Sequence, residues 1–190
     1  MPPKSRISKD MIVNAATEVI RESGFESVNA RTVAQKLNCS TQPVMYHFQT
    51  MEDIKRAAYS HVDRLHTDYL MTFSDEKDPL LEIGLNYIRF AIREPNLFRF
   101  LFQSGYTVEN NLMEMIESEE LVPVLSAMQE GTGLNAEKAK DIFLTVALFA
   151  HGYASIIANN SLEYDEDLVA AHLERAFSGA YLAACQEEEQ

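Results

Sequence analysis

Cysteine is scarce in this 190-residue chain: Cys39 and Cys185 stand alone, with no CxxC spacing. Two isolated thiols fit a reducing compartment better than a disulfide framework. No apolar run approaches the roughly 18–20 residues of a membrane span. The polar start MPPKSRISKD has no secretory stretch, so the expected location is the cytoplasm. Sustained period-two alternation is missing, which argues against sheet, and no internal repeat is visible. Positive charge is in deficit, with 16 Lys and Arg against 29 Asp and Glu, a net charge of −13. That balance at first speaks against a polyanionic partner. Signatures of catalysis are also lacking: there is no nucleophile elbow and no zinc-protease pattern. His61 and His66 are five apart, about 140° around a helix, and do not share a face as metal ligands. The run Gly131-Thr132-Gly133-Leu134-Asn135-Ala136 matches a dinucleotide fingerprint only superficially, because it follows a helical pattern rather than a strand. No catalytic residue, metal or cofactor is expected.

What is present is an ordinary globular composition, 46% apolar and 24% charged, which excludes wholesale disorder. The acidity is unevenly spread. Residues 1–50 carry a net +2, residues 51–78 a net −3 and residues 79–190 a net −12. One end can therefore approach phosphate while the bulk is repelled by it.

Helical periodicity runs through nearly the whole sequence. Met11, Ile12, Ala15, Ala16, Val19 and Ile20 share a face, Ser8 can cap that helix and Gly24 can end it. Asn29 is a natural cap for Ala30–Leu37. Asn38-Cys39-Ser40 reads as a tight turn, and Ser40 can cap a short helix Thr41–Phe48. A long helix is expected from Met51 to Phe73. The charged run 74–79 is the best linker, with Pro79 opening the next helix. Further helices are expected over Leu80–Arg93, Asn96–Gln103, Glu109–Glu130 (interrupted near Pro123), Glu137–Asn159 and Asp165–Cys185. The fold class is all-α: a three-helix helix-turn-helix over 1–50, a connecting helix over 51–73, and a helical bundle over 79–190.

A short helix, a tight turn and a second short helix packed on a preceding one is the arrangement that enters the DNA major groove. The second helix must begin with small or polar side chains, because these reach base edges and phosphates. Here it opens Ser40-Thr41-Gln42-Pro43. Thr41 and Gln42 can hydrogen-bond to bases, Gln with a bidentate match to adenine, while Tyr46 and His47 suit phosphate or sugar.

From Ser8 to about Tyr59 the residues Gly24-Phe25, Asn29-Ala30-Arg31-Thr32-Val33-Ala34, Asn38-Cys39-Ser40 and Met45-Tyr46-His47-Phe48 fall at matching spacings. In this the chain resembles the tetracycline-repressor (TetR) family of transcriptional regulators. Three positions depart from the family pattern. Met45 stands where a tyrosine is usual, Met51 replaces a phosphate-touching lysine, and Asn38 takes the place of a turn glycine. The resemblance implies DNA contacts from Arg31, Thr32, Ser40, Thr41, Gln42, Pro43, Tyr46, His47 and Thr50. It also implies a homodimer on a palindromic operator, released by a small molecule, with repression as the common mode. Phe149-Ala150-His151-Gly152 looks like a signature of one class of the family's C-terminal domains.

In the acidic part, the expected effector contacts are Phe90, Phe98, Phe102, Met113 and His151, from an aromatic and methionine cluster for whose members core packing is individually the commoner explanation. Arg89, Arg93 and Arg99 could neutralise an anionic effector or could be solvated. Phe177 and Ala180, on the apolar stripe of the last helix, are the expected dimer contacts. A helical protein-binding adaptor and a small-molecule-binding enzyme are the rival readings. The adaptor does not explain the polar start of the second short helix, and the enzyme lacks a catalytic pattern.

Overall fold

The computed structural model describes residues 7–72, 78–107, 111–160 and 162–186. These form ten α-helices and two 3-10 turns, with no strand among the described residues. The helices are α1 (Lys9–Ser23), α2 (Ala30–Lys36), α3 (Thr41–His47), α4 (Met51–Leu70), α5 (Pro79–Arg93), α6 (Pro95–Gln103), α7 (Leu112–Ile116), α8 (Val122–Thr132), α9 (Ala136–Asn160) and α10 (Glu166–Gln186). Of the expected linker, residues 74–77 lie outside the described residues, as does Phe73. The expected helix Glu109–Glu130 is instead two helices, α7 and α8, separated by the 3-10 turn Glu119–Leu121. The break falls upstream of Pro123, which occupies the first turn of α8, where its missing N–H is harmless.

The chain divides into two compact units: Met1–Arg64 with Glu94–Val108, and Leu65–Arg93 with Glu109–Gln190. This differs from a linear division at residues 50 and 79, because α6 joins the first unit. The reason is local chemistry. Arg21 on α1 donates through Nε to Glu94 (2.9 and 3.1 Å), and Asn96 Nδ2 donates to the Arg21 carbonyl (3.0 Å). Phe100 is fully buried and meets the rings of Phe25 (5.8 Å between centroids) and Tyr59 (5.8 Å). The rest of that core is the one the periodicity implies, with Ile12, Ile20, Val33, Val44 and Ile54 fully buried.

The second unit is built on α5 and α9, flanked by α8 and α10. Gly84 allows α5 and α10 to approach closely, since a Cβ there would sit 3.2 Å from Leu173 Cδ1. Met128, Ala139, Ile142 and Ala184 form one apolar cluster. The Gly131-Thr132-Gly133 run ends α8, with Gly133 left-handed (φ 69°) and its N–H on the Gln129 carbonyl. It is a helix cap, not a phosphate loop. By length and composition α9 could cross a membrane, which corrects the expectation that no stretch could. Only 28% of its apolar window is buried, so much of that character lies on an open face.

His66 is buried, edge-on to the rings of Tyr87 (5.2 Å) and Phe90 (4.9 Å). Burial lowers its pKa to about 3, so the ring is neutral at ordinary pH. In the unfolded chain it takes up a proton below about pH 6.5, and in the folded chain it does not. Its contribution to stability is therefore complete above pH 6.5 and is lost as pH falls toward 3. Urea unfolding at pH 7 and pH 5 should show that loss, and His66→Leu should flatten the slope. An unchanged slope would assign the acid sensitivity to other groups.

Candidate nucleic-acid interface

The turn between α2 and α3 is specified residue by residue. Asn29 accepts from the N–H groups of Arg31 (3.0 Å) and Thr32 (3.1 Å), while Thr32 Oγ1 accepts from the Asn29 N–H (3.0 Å). This capping box fixes the start of α2. At the other end Asn38 has φ 51°. The Cys39 N–H bonds the Ala34 carbonyl (3.0 Å) and the Asn38 N–H bonds the Gln35 carbonyl (3.2 Å). These two bonds make a Schellman motif, whose left-handed position asparagine tolerates better than any β-branched residue.

Ser40 precedes α3, but its hydroxyl makes no cap bond, contrary to expectation. A capping hydroxyl accepts from the N–H of the second or third helical residue. The third is Pro43, which has none. Thr41, Gln42, Met45 and Tyr46 are exposed, Tyr46 to 80%, while Val44 faces the core. A shallow depression of about 390 Å³ lies beside them, lined by Arg31, Ala34, Gln35, Asn38, Cys39, Ser40 and Thr41.

Not every expected contact residue is equally available. Arg31 is exposed and makes no ion pair among the described residues. Thr32 is half-buried and held in the capping box, its hydroxyl donating to the Ser27 carbonyl (2.8 Å). His47 is half-buried with Nε2 2.8 Å from the Ile7 carbonyl, which ties the start of α1 to the end of α3. Thr50 and Asp53 cap the start of α4 reciprocally (Thr50 N–H to Asp53 2.8 Å, Asp53 N–H to Thr50 Oγ1 3.1 Å). Lys36 is paired with Glu22 at 2.6 Å, and Lys9 sits over the Phe48 ring (5.6 Å). The free hydrogen-bonding face thus centres on Arg31, Ser40, Thr41, Gln42 and Tyr46.

Residues 80–178, just over half of the chain, match the family described as "Tetracyclin repressor-like, C-terminal domain". The chain belongs to the TetR family of transcriptional regulators. It is 23% identical over 174 residues to an uncharacterized HTH-type transcriptional regulator, YobS, of Bacillus subtilis, covering 89% of this chain and 88% of YobS. A TetR-family regulator from Streptomyces coelicolor shares the fold at 12% identity (TM-score 0.74; 95% of this chain, 83% of the other). A TetR protein from Acinetobacter baumannii, solved in complex with minocycline, does so at 16% identity (TM-score 0.58; 93% and 96%). As a TetR-family protein the chain is a DNA-binding regulator rather than an enzyme.

In this TetR-family regulator the expected effector residues separate. Phe98, fully buried, and Phe102 pair with each other (5.0 Å) within the first unit. Phe90, Met113 and His151 lie in the second. Met113 is 51% exposed on α7. Phe90 is buried, and His151 is half-buried with Nδ1 2.8 Å from the Tyr87 hydroxyl and Nε2 3.1 Å from Ser155 Oγ. Burial lowers the His151 pKa and raises that of Tyr87, so this polar chain is uncharged. Arg89 is unavailable to an anion, because it is engaged by Glu166 (2.9 Å), Glu82 (3.1 Å) and Asn86 (3.0 Å). Arg93 donates to Tyr69 (2.9 Å) and Arg99 to Asn96 (3.2 Å).

Phe177 and Ala180 are half-buried against the Met128–Ile142 cluster of their own unit. Other large apolar residues of the last two helices are exposed: Leu148 (51%) and Ile156 (57%) on α9, Leu168 (50%) and Leu182 (59%) on α10. Gly152 and Gly179 are also exposed, with nothing within 4 Å of an added Cβ.

Proposed function

We propose that this regulator is a cytoplasmic, homodimeric repressor that reads a palindromic operator through α3 and releases it when a small molecule binds in the second unit. The observation that carries the reading is the α3 surface. Its polar side chains Thr41, Gln42 and Tyr46 are exposed and make no side-chain hydrogen bond among the described residues, next to an Arg31 that has no ion pair among them. Palindromic reading needs two such heads about 34–36 Å apart. The open face of α9 and α10, with Leu148, Ile156, Leu168 and Leu182, is the dimer surface in this proposal. The effector is held by second-unit groups around Phe90, Tyr87 and His151, whose uncharged hydrogen-bonding suits a neutral or weakly polar compound rather than a strong anion.

A footprint on the DNA flanking the protein's own gene tests the reading. Thr41→Ala and Gln42→Ala are each expected to weaken specific binding by about 1–3 kcal/mol while changing non-specific affinity less. Intact sequence discrimination in the double variant would show that α3 is not the reading helix.

A further inference from the structure

The proposed reading face of α3 contains one side chain that does not belong with its neighbours. The four exposed positions form two adjacent columns, Thr41 with Met45 and Gln42 with Tyr46, each pair one helical turn apart. Three of them carry strong hydrogen-bonding groups, whereas Met45, 36% exposed, carries only a thioether. A lone exposed methionine on an ordinary surface needs no explanation. On a face that enters a groove it does, because every group there loses its water on binding.

A base-edge donor or acceptor placed opposite Met45 would be desolvated without a partner, which is unfavourable. The major groove offers one apolar feature among its four base-pair patterns, the 5-methyl group of thymine. The unbranched methionine chain can adjust to that methyl through its free rotations. We propose that Met45 is a specificity-determining residue that reads the 5-methyl group of one thymine in each operator half-site. The proposal rests on α3 being the reading helix.

The test uses the full-length protein and a palindromic duplex selected by it from a random pool, with thymines replaced one symmetric pair at a time by deoxyuridine, which lacks only the methyl. One pair is expected to weaken binding about fourfold per half-site, hence about fifteenfold for both, the loss of one buried methyl-sized contact. Met45→Ala should bind the thymine duplex more weakly by a similar factor and become indifferent to deoxyuridine at that pair. Met45→Leu should keep the discrimination. Equal wild-type affinity for the thymine and every deoxyuridine duplex would overturn the proposal while leaving α3 as the reading helix. So would a penalty that persists undiminished in Met45→Ala. Sequence discrimination that survives the combined loss of Thr41 and Gln42 would remove the helix assignment and this proposal with it.

Discussion

Arg89→Met is expected to destabilise the second unit by about 3–5 kcal/mol, roughly 6–20 °C in the unfolding midpoint. Glu82, Asn86 and Arg89 lie on one face of α5, at intervals of four and three residues, and point inward. The Glu82 side chain is only 8% exposed and that of Arg89 14%. Arg89 supplies the positive charge within 3.1 Å of Glu82 and also reaches Glu166 beside the start of α10. Those contacts raise the already high pKa of Arg89, so it stays charged at every accessible pH. Methionine fills much of the same volume but takes the guanidinium away from the buried Glu82 carboxylate. The desolvation of that carboxylate, not the lost attraction, dominates the expected effect. The companion variant Glu82→Gln with Arg89→Met should therefore recover much of the loss. Urea unfolding of the two variants and the wild type decides the matter. A loss under about 1 kcal/mol in Arg89→Met would mean that Glu82 finds water or another partner.

Leu182→Glu is expected to convert the protein to a monomer at micromolar concentration and to weaken binding to a paired site by at least about 100-fold. Leu182 is 59% exposed in the isolated chain, so the new carboxylate is well solvated there and the fold survives. In a two-fold assembly the substitution occurs twice, and each charge must then be buried against an apolar partner face. Ile156→Glu should behave in the same way. Phe177→Glu should not, since Phe177 packs on the Met128–Ile142 cluster and its replacement would damage the unit itself. Sedimentation together with far-UV circular dichroism separates the outcomes. A stable dimer in both Leu182→Glu and Ile156→Glu would move the interface away from this face.

The reading of the sequence was strongest where structure is set by neighbours a few residues apart. Ser8, Asn29 and Gly24 punctuate α1 and α2 where expected, and Asn38 holds the left-handed turn, because caps and turns are local chemistry. Ser40 makes no cap bond, and Pro43 removes one of the two N–H groups its hydroxyl could accept from, a fact present in the sequence but requiring the cap's partner positions to be counted. Phe98 and Phe102 fall in a different unit from Phe90 and His151. Periodicity states that a residue is buried, not against what, and α6 is claimed for the first unit by Arg21 and Phe25, more than seventy residues away. The same limit applies to Phe177 and Ala180, which pack on the core of their own unit, since two apolar stripes on one helix look alike until the core occupies one of them. Arg89 pairs with Glu82, seven residues back on the same helix, and with Glu166, 77 residues ahead, and only the second lies beyond the reach of local pattern.

The participation of α6 in the first unit bears on how the protein is made. A ribosome that has released only the first 64 residues has delivered α1 to α3 and most of α4, but neither Glu94 for Arg21 nor Phe100 for Phe25 and Tyr59. The head is then an apolar surface awaiting its lid, and it completes itself only after the whole of α5 has been synthesised. A polypeptide cut at residue 50 or 70 to give a portable reading head would carry that open surface permanently. Exchange of heads between relatives would have to transplant two separate stretches of chain, so recombination at a single crossover between them would yield a mismatched core.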